Sequence, residues 1–468
     1  MSKIFDLTEG SIFKKLFLIA LPVLLTSISQ MAYNLTDMFW VGRVDEIGLI
    51  EHEAISAIGT AGYIIWFAFG VILIGRVGTG VKVSHAAGSK NLKALEQYAS
   101  NGILWQLFIG ILFSALVFIL KKPIIGIFAI DSSAVIGYAL EYLSIVGGLL
   151  VFQFVSSGFM AINEGIGKTK INFLIMAIGL VLNMVLDPIL ILGLRLGVRG
   201  AAIATIISQA LTMLVFTIVY LKTKEKLFRF HVKAFNLATT KEIIRIGIPA
   251  GLQSMVFTTI SIFIARMVFG FGEIVMAAQR IGTQVEQLTW MIAGGFQTAL
   301  TVYVGQNFGA KQYLRVRKGI GAMSGLLIPY SFVVALSLFF FAEGFMSLFV
   351  DDPLTKAYGI RYLKIISLAQ VFMMIEAIGV GFFNGIGKTE IPSLVGIIGN
   401  TLRIPLAYLL ISSMNEEGIW WALNISDITK GMILFIGALI MMLFLEKLKP
   451  KKQKIMMPVI ENTTENVA

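Results

Sequence analysis

Twelve apolar stretches, each about twenty residues long, constrain this chain more than any motif within it. They recur near 16–42, 54–81, 98–120, 135–162, 171–193 and 201–221, and again near 243–270, 275–304, 319–342, 358–383, 391–412 and 418–445. A helix of about 20 apolar residues spans a hydrocarbon core roughly 30 Å thick. No water is available there, so backbone polar groups must bond within their own segment, and these runs are too long and too evenly apolar for barrel strands. With 57% hydrophobic and only 14% charged residues among 468, the chain carries more apolar surface than one soluble core can hide. The expected fold is an all-α integral membrane protein with twelve transmembrane helices.

The chain is also duplicated. Gly165-Ile166-Gly167-Lys168-Thr169 returns as Gly385-Ile386-Gly387-Lys388-Thr389, and at a similar offset Gly88 matches Gly309, Asp131 matches Asp352, Tyr142 matches Tyr362, and Asn183 and Pro188 match Asn400 and Pro405. Six helices per copy is an even number, so both copies enter and leave on one side and form parallel, pseudo-symmetric six-helix lobes with a cavity between them. The boundaries read as a first lobe over 1–221, a basic cytoplasmic linker over 222–242, a second lobe over 243–446, and a basic, disordered tail over 447–468. The copies differ where it matters most: Asp37 and Asp187 face Ala265 and Ile404 at the matching places.

About 25 Lys and Arg fall on the side holding both termini, against about 8 on the other, so the positive-inside rule places both termini on the cytoplasmic side of the membrane. The net charge of +11 is explained by anionic lipid headgroups, and no nucleic-acid partner is expected. The first apolar run contains Pro22, Gln30 and Asn34 without a small-residue cleavage site, and reads as an uncleaved helix. There is no Cys, which excludes disulfides and thiolate metal sites.

Two motifs are set aside. The Gly-Lys-Thr triplets resemble the end of a phosphate-binding loop, but the Gly required five residues before Gly167 is Ile162, and the second copy has Phe382 there. A tight turn capping a helix is the better reading. His52, His85 and His231 read as loop residues without paired spacing, which suits neither metal ligation nor catalysis. With no paired His, no Cys and no metal spacing, no enzyme activity, catalytic residue or bound cofactor is expected.

The polar residues inside the apolar runs are the candidates for function. Gln30, Asn34 and Asp37 fall at i, i+4 and i+7, a stripe on one helix face that must meet protein or water. Asn183 and Asp187 are i, i+4 on the fifth span, Pro188 frees a carbonyl nearby, and Thr205 adds a hydroxyl from the sixth. An Asp at the centre of a membrane helix costs about 2.5–3.5 kcal/mol on insertion scales, so two in one lobe need a compensating use. Two readings stand: structural pairing, with Arg76 the main candidate cation, or a relay in which the carboxylates bind and release a proton or, with amide and hydroxyl oxygens, a sodium ion. In the second lobe Asp427 and Lys430 read as a structural i, i+3 pair. Glu286 and Glu376 are further cavity candidates, Glu376 with Arg403 as an alternative partner.

The run from Ala20 and Pro22 through Tyr33, Asn34, Asp37, Trp40 and Gly42, the run Leu182-Asn183 to Asp187-Pro188, and Gly305-Gln306-Asn307-Phe308-Gly309 resemble the multidrug and toxic compound extrusion (MATE) transporters over about residues 10–445. Acids at Asp37 and Asp187 look more like the prokaryotic DinF-like branch than the NorM-like one. The resemblance implies a cation site at Asp37, Asn183, Asp187 and Thr205 and a bend point at Pro22. It further implies a monomeric secondary antiporter that exports amphipathic, cationic organic compounds in exchange for H+ or Na+. The alternative is a flippase for a lipid-linked oligosaccharide or cell-wall precursor, which calls for several cationic groups where the first lobe offers acids.

Overall fold

The computed structural model describes residues 5–128, 130–222 and 235–445, and among these the regular elements are helical. The first half holds α1 (Ile12–Val41), α2 (Glu51–Gly88), α3 (Leu92–Gly126), α4 (Ser133–Ile145), α5 (Val151–Gly165), α6 (Thr169–Pro188) and α7 (Gly197–Lys222). The second holds α8 (Leu237–Phe269), α9 (Glu273–Gly309), α10 (Tyr313–Phe340), the short α11 (Ala342–Ser347), α12 (Pro353–Ser367), α13 (Gln370–Gly385), α14 (Glu390–Met414) and α15 (Glu416–Leu443). Nine of these helices are long and apolar enough to cross a membrane, and α4–α5 and α12–α13 are spans bent by 42° and 48°. The remaining span is α9, whose 37 residues carry Glu273, Arg280 and Glu286 and are correspondingly more polar. Large side chains in mid-helix, such as Phe108, Val181, Phe332 and Val333, point outward, the pattern of a surface solvated by hydrocarbon.

Both copies bend at the matching place. In the first, Gly147 and Gly148 open a 3-10 turn between α4 and α5; in the second, Leu368 and Ala369 separate α12 from α13. The repeated pentapeptide forms the same turn twice, with Gly167 and Gly387 both at φ 78°, a left-handed conformation that only glycine adopts without strain. Thr169 then donates to the Ile19 carbonyl of α1 at 3.1 Å, and Thr389 to the Ile246 carbonyl of α8 at 2.5 Å. Each turn thereby pins the first helix of its own half, at the carbonyl of the residue three before Pro22 or Pro249. The capping-turn reading is the observed one.

The halves meet where α2 crosses α8 and α9, and where α1 lies along α9. Glycines permit the closest crossings. A Cβ at Gly78 would overlap the Ile243 carbonyl, and one at Gly247 the Ile74 carbonyl; Gly88 and Gly309 do the same for α2 against α9. Small residues let membrane helices approach closely enough for dispersion to hold them.

Some expectations change. The linker begins later and ends earlier than 222–242, because α7 runs to Lys222 and Asn236 caps α8 at Leu237 through the Thr239 N–H. Residues 223–234, with His231, and the tail over 447–468 lie outside the described residues. His85 is not in a loop: it belongs to the last turn of α2, where its imidazole meets the Gly385 carbonyl, and His52 lies in the first turn of α2. The first helix runs unbroken through Pro22 in this conformation.

Inside the second half, four charges neutralise one another. Asp427 is 2.6 Å from Arg403 and 2.9 Å from Lys430, and Lys430 also reaches Glu376 at 3.5 Å and the Asn400 amide oxygen at 3.2 Å. The Asp427–Lys430 pair is as expected, whereas the cation for Glu376 is Lys430 rather than Arg403. Removing one member of a buried pair strands the other charge, at a cost of about 3–5 kcal/mol. Arg403→Ala is thus expected to lower the thermal unfolding midpoint in detergent, with Arg403→Ala/Asp427→Asn recovering part of the loss; an unchanged midpoint for the single variant would remove the network from the list of stabilising contacts. Gly247→Val is expected to reduce the yield of monodisperse protein, since overpacking costs about 1–3 kcal/mol or more. Gly59→Val, where nothing lies within 4 Å, is the matched control and should behave like the parent on size-exclusion chromatography.

Candidate functional site

Between the halves lies a cavity of about 650 Å³. Gln30, Asn34 and Asp37 line it from one face of α1, as the i, i+4, i+7 spacing requires, and Thr205 lines it from α7. The second half contributes Phe257 from α8 and Gln287 and Met291 from α9. Polar atoms of Gln153, Ser156, Ser208 and Gln209 around the same space have no hydrogen-bond partner among the described residues, so they are available to water or a ligand.

Asp37 leads from this cavity into a second layer. Its carboxyl lies beside that of Asp187, and the two interact directly. Thr205 Oγ1 is 3.4 Å from Asp37 Oδ2, a weak contact, and Asn183 Nδ2 donates to Asp187 Oδ1 at 3.0 Å, one turn back on α6. Asn183 and Asp187 are fully buried, behind the cavity wall rather than in it. What remains is a set of oxygens without hydrogen-bond partners among the described residues: Asp37 Oδ1, Asp187 Oδ2, Asn183 Oδ1 and the Tyr33 hydroxyl. Carboxylate and amide oxygens without donors are hard ligands for a proton or an alkali cation. Past Asp187, Pro188 ends the α-helical pattern and the chain widens into a π turn over Ile189–Gly193, the local irregularity that often accompanies functional sites.

Neither aspartate forms an ion pair among the described residues. Arg76, the cation proposed for them, is bound instead to Glu164 at 2.7 Å, although its side chain also reaches the cavity. Glu286 and Glu376 do not line this cavity. Glu286 is buried within the second half, accepting from the Tyr362 hydroxyl at 3.2 Å and the Gln370 amide at 3.1 Å, and Glu376 belongs to the charge network. Their α-helical segments turn those faces toward α12, α13 and α15 rather than toward the gap between halves. Tyr33 was not singled out from sequence, yet its place four residues before Asp37 puts it on the same helix face.

Comparison with known proteins agrees with this geometry. A family profile described as MatE matches residues 22–189 and 249–409, one segment in each half, beginning at Pro22 and Pro249. Among curated relatives, the probable multidrug resistance protein NorM of Thermotoga maritima is 29% identical over 415 residues, covering 87% of this chain and 88% of its own. The multidrug export protein MepA of Staphylococcus haemolyticus is 26% identical, covering 91% and 93%. A solved structure of a MATE family multidrug resistance transporter in an outward-facing conformation superposes with a TM-score of 0.88 at 20% identity, over 96% of this chain and 99% of that one. The duplicated twelve-helix architecture, the inter-half cavity and the two-segment profile match lead to one assignment: this chain belongs to the MatE family of multidrug and toxic compound extrusion transporters.

Proposed function

We propose that the chain is a multidrug efflux antiporter that exports amphipathic organic cations in exchange for inward H+ or Na+. The observation that carries this reading is the pair Asp37 and Asp187: two adjoining carboxyls inside a membrane bundle, without a cationic partner among the described residues, one of them in the wall of a drug-sized cavity. The names of the relatives support the drug-export part of the reading. The cavity chemistry supports a cationic substrate, because Arg76 is neutralised by Glu164 while Asp37 has no such partner. For the same reason a pyrophosphate-bearing flippase substrate gains no support.

Coupling follows from competition for one charge. With Asp37 ionised, the cavity attracts an organic cation; with a proton or Na+ held by Asp37, Asp187, Asn183 and Thr205, that attraction is gone. Linkage makes the antagonism reciprocal. One charge moving through 100 mV supplies about 2.3 kcal/mol, and a tenfold ion gradient adds about 1.4 kcal/mol. One or two ions therefore suffice for a substantial drug gradient. Pro22 offers no N–H to the carbonyl of Leu18, so α1 is weakest there; ion binding at Asp37 bends α1 at Pro22 and swings the Gln30–Asp37 segment into the cavity. Both acids lying in the first half supports a place beside the DinF-like branch, although the Thermotoga maritima relative carries the name NorM. The termini face the cytoplasm of the plasma membrane, and a single chain, which encloses the whole cavity, is the working unit.

Two measurements test this. Asp37→Asn is expected to abolish export, at least tenfold below the parent, while membrane expression and thermal stability hold, because Asp37 makes no ion pair whose loss would loosen the fold; export at the parent rate would refute the scheme. Dye efflux from proteoliposomes under separately imposed pH and sodium gradients should be driven by one of them. Efflux driven by neither would remove antiport.

A further inference from the structure

Hydrogen bonds that cross between the halves gather at the face holding the N-terminus, and the repeated pentapeptide is at their centre. Gln306, near the end of α9, donates through Nε2 to the Gly165 carbonyl of the first-half turn at 3.0 Å. His85, near the end of α2, donates through Nε2 to the Gly385 carbonyl of the second-half turn at 2.7 Å. The two donors occupy matching places, each three residues before the paired glycines Gly88 and Gly309, so one contact is the pseudo-symmetric image of the other.

A third component has no such image among the described residues. The segment before α1 inserts into this junction. Phe5 N–H bonds the Ile166 carbonyl of the first-half turn at 3.0 Å, and Leu7 N–H bonds Gln306 Oε1 at 3.1 Å. The Leu7 carbonyl accepts from Asn307 Nδ2 and from the Arg315 guanidinium, both at 3.2 Å, and Arg315 also reaches the Gly10 carbonyl at 3.2 Å. The Leu7 side chain is 0% exposed, in the apolar cluster that contains Tyr303, Val304, Phe308 and Val316 of the second half. Asp6 closes the segment on itself by accepting from the Thr8 N–H at 2.8 Å. One amide, Gln306, thus holds the strap with its oxygen and the opposite half with its nitrogen.

We propose that Phe5–Gly10, with Gln306 and His85, is a releasable latch that holds the two halves together on the termini-bearing face and sets how often the cavity opens there. The inference rests on the antiport reading above, taken with a cavity that opens to one face of the membrane at a time. Opening on that face requires α2 and α9 to part at Gly88 and Gly309, and every bond just described spans that line or braces a group that does. The bonds run to backbone carbonyls and a side-chain amide, which water can replace once the halves separate, so the latch is reversible. The strap adds a grip from the first half and seats an apolar residue in the second.

The chain's lack of Cys permits a clean test. Ser84 is fully buried on α2, packed against Gly305 of α9, so Ser84→Cys provides a single thiol that a soluble maleimide reaches only when the junction opens. In purified protein without drug or ion gradient, Gln306→Ala and His85→Ala are each expected to raise the labelling rate roughly three- to tenfold, the population change that one or two net hydrogen bonds govern. His85→Gln, which keeps a donor of the kind the other copy uses, should stay near the parent rate. Thr301→Ala, which removes only a bond to Gln297 within α9, should not change it. Labelling that is insensitive to both alanine variants would overturn the latch, as would an equal rise with Thr301→Ala. If Gln306→Ala fails to fold, the contrast between His85→Ala and His85→Gln decides alone. Because labelling needs no gradient, a latch that responds in a protein without antiport would sink the transport reading and leave the latch standing, and gradient-driven efflux with insensitive labelling would do the reverse.

Discussion

Hydrocarbon cannot hydrogen-bond, and that single constraint organises this molecule. It forces the backbone into helices, turns large apolar side chains outward, and requires each buried polar group to find a partner within the protein. The buried charges of the second half meet the requirement: Asp427, Glu376, Arg403 and Lys430 cancel one another, and Glu286 is held by Tyr362 and Gln370. Among the buried acids of the first half one pair stands apart. Within the described residues Asp37 and Asp187 adjoin without a cation, and the side-chain oxygens of Asn183 and Tyr33 beside them also have no partner. Under the proposed antiport, a small cation fills this gap and leaves it.

The duplication explains how the two halves can differ so much in chemistry while sharing a scaffold. The pentapeptide forms one turn twice, with its Thr fastened to α1 or α8 and its first glycine carbonyl presented to the opposite half. Those are backbone and hydroxyl contacts, insensitive to what the helix interiors carry. The interior positions are then free to diverge: Asn183 serves Asp187, whereas its counterpart Asn400 serves Lys430. A common frame with unequal contents is what the proposed ion coupling calls for, because an ion held in one half would act on that half alone.

The glycine crossings of α2 with α8 and α9 place backbone on backbone, so the halves touch over narrow, smooth lines rather than interdigitated ridges. Dispersion along such lines changes little when helices rock by a few degrees, whereas the hydrogen bonds at their ends must be made or broken. Stability of one conformation over another is then concentrated at the ends of the crossings, where His85, Gln306 and the segment before α1 lie.

Several features were determined by sequence alone because they depend on local periodicity. The twelve spans follow from apolar run length, the duplication from repeated residues, and the face shared by Gln30, Asn34 and Asp37 from helical spacing. The i, i+4 relation of Asn183 and Asp187 and the i, i+3 relation of Asp427 and Lys430 are likewise local, and both bonds are present. Partners far apart in sequence were decided only by the tertiary structure. Arg76 has no local signal directing it to Glu164 rather than to an aspartate, and Glu376 none favouring Lys430 over Arg403, since each choice depends on which helix faces pack together. Glu286 faces its own half because α12 and α13 fold back on α9, and Leu7 is buried because α9 and α10 leave a slot for it. The meeting of α1 with α6, which brings Asp37 beside Asp187, is likewise a product of packing, and no spacing within either helix encodes it.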